Sequence, residues 1–189
     1  MTDAAEVLEF WETAGPEKWY AKDDDFDQAI RDRFMSAWQA AHDGTLDDWA
    51  VDANGALGLI ILLDQFPRNM FRDDPRAFAT DAMGRDVAGK MLAQGWDREI
   101  EGTMRQFAYM PFMHSEEMAH QDIAVDLMET RMEEGNNDLH ARVHREIIRR
   151  FGRFPYRNEA LGRSTTEAEQ AFLDDGGYGA ILREMEDAA

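Results

Sequence analysis

The chain has 189 residues, 44% hydrophobic, 31% charged and 11% aromatic, enough apolar material for one sizeable core and a single all-helical domain spanning 1–189. Lys and Arg number 20 against 39 Asp and Glu, and the resulting net charge of −19 repels phosphate backbones and anionic lipid, which argues against nucleic-acid or membrane partners. Cysteine is absent, excluding disulfides and a thiol nucleophile; with an acidic start, Met1-Thr2-Asp3-Ala4-Ala5-Glu6, and a longest apolar run of only Ala56 to Leu63, the expectation is a cytoplasmic protein.

In chain order, Asp3 with Glu6 three residues on predicts the start of a first helix, ended by Gly15-Pro16. Phe26, Ile30, Phe34, Trp38 and Ala41 make one apolar stripe on a second helix from about Asp24 to Asp43, stopped by Gly44. A third begins near Asp52 or Ala53 and is expected to end before Pro67, because proline disfavours helical geometry in the residue preceding it. Asp74-Pro75 opens a fourth that should reach Gly95, and Asp97 is placed to cap a fifth running toward Pro111. Ser115 is expected to cap a sixth, with Glu116 and Glu117 in its first turn and an end near Gly135. Leu139, Val143, Ile147 and Phe151 define a seventh closed by Gly152; Ser164 with Glu167 reads as a capping box for an eighth, and a short ninth follows Gly179. Period-two alternation is absent and connections are short, so the pattern reads as all-α, eight or nine helices in antiparallel pairs.

Charge is unevenly spread. Between Ala141 and Arg163 stand seven arginines, Arg142, Arg145, Arg149, Arg150, Arg153, Arg157 and Arg163, against two acids, Glu146 and Glu159. Two readings are open: the arginines pair with carboxylates elsewhere and steady a helix end, or some of them cradle a carboxylate or phosphate, whose oxygens match the guanidinium fork. Asp64 shares a helix face with Leu57 and Ile60, so its carboxylate needs a partner, for which Arg68 or Arg153 are the candidates and a structural ion pair the expected role. His114 and Glu116 flank Ser115 and are the candidate acid/base pair; His140 and His144 lie one helical turn apart. Two loops, Phe66-Pro67-Arg68-Asn69 and Phe154-Pro155-Tyr156-Arg157-Asn158, both place Arg-Asn just past Phe-Pro.

Metal and cofactor signatures fail on inspection. Glu117 and His120 form one Glu-x-x-His where a dinuclear carboxylate bundle needs two, and Asp23, Asp25 and Asp27 imitate an EF-hand loop that carries Gln28 and Phe34 where Gly and Glu are required. Glycine-rich phosphate loops and nucleophile elbows are likewise missing, so no cofactor is expected.

The run Leu59-Ile60-Ile61-Leu62-Leu63-Asp64-Gln65-Phe66-Pro67-Arg68-Asn69-Met70-Phe71-Arg72, with Met110 to Glu116 and His144 to Thr165, resembles a bacterial family known as domain of unknown function 924. The resemblance covers nearly the whole chain and implies helix pairs in a tetratricopeptide-like α-α superhelix. It implies no activity. It draws attention to Asp64, Gln65, Arg68, Asn69, His114, Glu116, His144, Arg153, Arg157 and Asn158 as motif positions. The functional expectation is a helical protein holding a small anionic metabolite or an acidic peptide group in a pocket of Arg68, Asn69, His114, His144, Arg153, Arg157 and Asn158. The alternative is a protein-interaction scaffold without a small-molecule site. A third reading is a hydrolase- or lyase-like enzyme using His114 or Glu116 as acid and base.

Overall fold

In the computed structural model, residues 2–132 and 137–188 are described. The class is all-α: 75% of the structure is helical and no strand occurs among the described residues. Among the described residues there are eleven α-helices joined by short 3-10 and π turns, slightly more than the eight or nine expected because short pieces, Pro16–Trp19, Phe66–Met70 and Met110–Met113, form besides the longer helices. The chain divides into two compact units, Met1–Pro111 and Phe112–Ala189. No helix among the described residues is long and apolar enough to cross a membrane.

The first unit holds α1 (Ala4–Ala14), α2 (Pro16–Trp19), α3 (Asp24–His42), α4 (Ala53–Ile60), α5 (Phe66–Met70) and α6 (Asp81–Gln94). Asp3 caps α1 by accepting from the Glu6 N–H at 2.9 Å, and Asp23 and Asp52 cap α3 and α4 in the same way. Helix α4 is apolar on every side and lies buried, packed by α1 and α6. Close packing there depends on Gly58, where an added Cβ would stand 2.8 Å from the Ala4 carbonyl oxygen. Rings of Phe10, Trp11, Phe26, Phe34, Phe66 and Phe107 fill the space beside it, with centroids about 5–6 Å apart as in edge-on and offset aromatic pairs.

After α7 (Met110–Met113), within which the division falls, the second unit holds α8 (Met118–Arg131), α9 (Asn137–Phe151), α10 (Glu167–Asp174) and α11 (Tyr178–Glu186). Arg142 reaches Glu129 while Arg145 reaches Asp122, so numbers rise on α9 as they fall on α8 and the two helices run antiparallel. Val143, Ile147 and Ile148 of α9 meet Phe154, Phe172 and Ile181 in this unit's core.

Several expected boundaries move, each for a local reason. The third helix does not stop before Pro67. A single π-turn, Ile61–Gln65, widens the backbone, the Phe66 N–H reaches back five residues to the Ile61 carbonyl, and Pro67 enters in the first turn of α5, where its missing donor costs nothing. The fourth helix is split because the Thr80 hydroxyl donates to the Leu63 carbonyl at 2.5 Å, holding Thr80 off helical geometry between the 3-10 turn Pro75–Phe78 and α6. The fifth is 3-10 rather than α over Trp96–Glu99 and Gly102–Ala108, and buried Asp97 accepts from the Tyr109 hydroxyl at 2.9 Å instead of capping. The eighth helix has its capping box two residues later than expected, at Thr166 and Glu169. The expected end at Gly135 lies outside the described residues.

Candidate functional site

Most of the arginine excess is spent inside the second unit. Arg142 meets Glu129 and Asp138, Arg145 meets Asp122, and Arg149 and Arg150 share Glu146, with Arg150 also reaching Glu184. Arg153 grips Glu169 with Nε at 2.5 Å and Nη2 at 2.8 Å, while Arg163 forks onto both oxygens of Glu116 at 2.8 and 2.9 Å. These pairs hold Glu146 and Glu169 down at about 2, in each case chiefly through the arginine hydrogen bond.

Glu116 therefore does not face the dipole of α8. One of its oxygens also accepts from the Phe154 N–H at 2.9 Å, which ties the start of α8 to the Phe-Pro loop after α9. Burial pushes its carboxyl up, but Arg163, the Phe154 amide and the charge of Arg157 outweigh that and lower it overall. Ser115 accepts from the Glu117 N–H and meets His120 Nδ1 at 2.8 Å, while Gln121 donates to the Met113 and Ser115 carbonyls.

Around that tie lies a group of bases. The His114 and His144 ring centroids are 6.2 Å apart, with His114 buried and His144 half-buried. Phe154 is flanked by the His144 ring, edge-on at 5.6 Å, and by the Arg157 guanidinium, 4.6 Å from its centroid. His144 Nδ1 donates to the His140 carbonyl at 2.8 Å; since a carbonyl only accepts, this fixes the tautomer and leaves the lone pair on Nε2. Burial first, then the charges of His114 and Arg157, press the His144 imidazole down to about 3, so it stays neutral at physiological pH. His140 Nδ1 lies 2.5 Å from the Tyr178 hydroxyl; burial raises the phenol and lowers the imidazole, so the phenol donates.

Of the residues singled out in the sequence, His114, Glu116, His144, Arg153, Arg157 and Asn158 belong to the second unit, where His144 and Arg157 meet Phe154 and His114 stands beside His144. Arg153 is drawn to Glu169, and Asn158 is buried with its amide nitrogen toward Thr165 and Glu169 and its carbonyl oxygen without a hydrogen-bond partner. Asp64, Arg68 and Asn69 belong to the first unit. There Arg68 stands 3.5 Å from fully buried Asp64, donates to that residue's carbonyl and forks onto Asp81, while Asn69 donates to Asp27 at 2.7 Å beside Arg72. Tyr178 was not anticipated as a neighbour of the histidines, nor Arg163 as the partner of Glu116. Glu116 had to be seen facing across 47 residues to Arg163, a separation no local pattern records.

The family model for a bacterial protein of unknown function, DUF924, matches residues 7–177. A solved structure of a protein of unknown function from Agrobacterium tumefaciens is similar at 43% sequence identity and a TM-score of 0.88, covering 92% of this chain and 97% of that one. No functionally curated protein matches the chain. With the match running through the Phe-Pro-Arg-Asn segment, the His114 segment and the second Phe-Pro loop, the chain belongs to the DUF924 family.

Proposed function

We propose that the second unit binds a small anion, a carboxylate or phosphate group, at His114, His144 and Arg157. The observation that carries the reading is the placement of His144 and Arg157 against one aromatic ring, with His114 beside His144, in a strongly acidic protein. Arg157 supplies a fork of donors, and its placement over Phe154 fixes the plane of that fork. The paired arginines of α9 contribute rigidity rather than ligand contacts.

His144 makes the proposal specific. Held neutral, its Nε2 offers a lone pair, which does not suit an anion; protonated, it offers a second donor. An anion seated between His114 and Arg157 offsets their charges and raises the proton affinity of His144, so anion and proton bind together. Sulfate is the best probe because its own charge does not change between pH 5 and 7. Calorimetry should show saturable sulfate binding that tightens as pH falls across that interval, approaching about tenfold per unit where one proton enters per anion. Heats measured in buffers of different ionisation enthalpy should reveal the proton uptake. Arg157→Gln should abolish binding while retaining the fold by circular dichroism. Absence of binding by sulfate, phosphate and citrate at both pH values, or binding indifferent to Arg157→Gln, would overturn the proposal.

A further inference from the structure

In the first unit, an open groove of about 740 Å³ runs between the outer face of α1 and the turn leading into α4. Its apolar surface comes from Leu8, Trp49 and Val51, and Val51 is 69% exposed, one of only four large hydrophobic side chains so exposed among the described residues. Its charged lining is entirely acidic: Asp3, Glu9, Glu12, Asp48 and Asp52, without a lysine or arginine. Asp3 and Asp52 are occupied as helix caps, but Glu9, Glu12 and Asp48 enter no ion pair or hydrogen bond among the described residues. Elsewhere Glu6, Asp27, Asp74, Asp122, Glu129 and Glu169 each meet a guanidinium.

We infer that this groove is a docking surface for a cationic amphipathic helix of a partner protein. An apolar strip flanked by unpaired carboxylates is the complement of a helix with apolar residues at i, i+3, i+4 and i+7 and Lys or Arg on either side. The α1 lining, Asp3 to Thr13, is about 15 Å long, matching about three turns of such a helix. The volume holds several anchoring side chains, and Trp49 is of the residue type that most often carries binding energy at interfaces. Glu9 and Glu12, one turn apart on α1, form one flank, and Asp48 stands on the other element. Tightly packed backbone supports the floor: an added Cβ at Gly55 would meet the Trp49 carbonyl oxygen at 2.0 Å, so the turn and α4 are fixed against each other before any partner arrives.

The test uses the full chain and a fluorescent synthetic peptide with leucines at i, i+3, i+4 and i+7 flanked by lysines, read by anisotropy, beside a scrambled peptide of identical composition. Saturable binding of the patterned peptide alone is expected. Val51→Asp, a change at an exposed position, should weaken it by at least about tenfold, as should the double change Glu9→Lys, Glu12→Lys. Reversal of two exposed acids outside the groove, Glu99→Lys with Glu101→Lys, should alter binding less than about twofold. Equal binding of the scrambled peptide, or equal loss from the Glu99 and Glu101 reversals, would reduce the effect to net charge and overturn the inference. Unchanged binding in Val51→Asp would overturn it too. Sedimentation showing a dimer of this chain that Val51→Asp dissociates would assign the groove to a second copy instead.

Discussion

The first unit buries acids and pairs two of them with guanidinium groups, Asp27 with Arg72 and Asp64 with Arg68, whereas the second buries His114 and Arg157 near a half-buried His144 and keeps its matched pairs mostly at the surface. An acid neutralised in the interior holds helices together, because removing either partner strands the other. Neighbouring bases that lower one another's proton affinity instead make the stability of their surroundings depend on pH. The comparison is broken most directly at Asp64. Asp64→Ala removes the carboxylate beside Arg68 on the π-turn and should cost about 3–5 kcal/mol in chemical denaturation. A loss below about 1 kcal/mol, the range of exposed pairs, would mean that Asp81 alone suffices to hold Arg68 and that the first unit's interior network is not structural.

The second unit should show the opposite dependence, on pH. The folded His144 imidazole sits at about 3, below its ordinary value of 6.5, so between those values the unfolded chain binds a proton that the folded chain refuses. Its contribution to stability is complete above pH 6.5 and is lost as pH falls toward 3, at up to about 1.4 kcal/mol per pH unit. Glu146 and Glu169, lowered to about 2 from 4.5, lose their contributions only below pH 4.5, so the interval from 6.5 to 5 isolates the two lowered histidines, His144 and His140. His144→Phe, placed among Phe154 and Tyr178, should flatten the stability profile over that interval. An unchanged slope would show that His144 is not the buried base described. Sulfate at saturation should flatten the wild-type profile in the same way, by letting the folded state accept the proton.

What could be read before any coordinates follows the range of the interactions involved. Asp3, the stripe from Phe26 to Ala41 and the periodicity of α9 depend on neighbours within about a turn, and those helices lie where the spacing puts them. Pro67 was misread because the rule about proline assumes an α ladder, and a π-turn removes the clash without ending the helix. Helical spacing from Leu57 and Ile60 put Asp64 on an apolar face, but it lies on the π-turn after α4, where every residue is buried, so the face argument led to burial without describing it. The arginine run was visible as a count. Its assignment was not, since the acids that absorb it, Glu129 and Asp122 on α8 and Glu184 on α11, are set by helix packing rather than by sequence proximity. The expected pocket joined Arg68 and Asn69 to His114, His144, Arg153, Arg157 and Asn158, whereas Arg68 and Asn69 are engaged with acids of the first unit and Arg153 with Glu169; Tyr178, which packs on His144, carried no signal beyond being aromatic.

The smallest expected effect sharpens the comparison within the second unit itself, between an arginine of the surface and the one beside the histidines. Arg149 is exposed and forks onto Glu146 within its own helix, and Glu146 keeps Arg150 when Arg149 is lost. Arg149→Gln should therefore leave the melting temperature and the His144 titration unchanged. Arg157→Gln acts differently. Its charge is one of those that press His144 down, after burial and His114, so its removal should move the His144 titration upward, toward the ordinary histidine range. The same change withdraws a charge that helps to lower Glu116, whose carboxyl should also rise, but less, because Arg163 remains on both of its oxygens. Following the imidazole and carboxyl resonances by NMR against pH would read both shifts in one series. If Arg149→Gln and Arg157→Gln move His144 alike, its lowered proton affinity reflects the general charge of α9 and not a local site; if only Arg157→Gln moves it, the bases act on one another within the interior, as anion binding there requires.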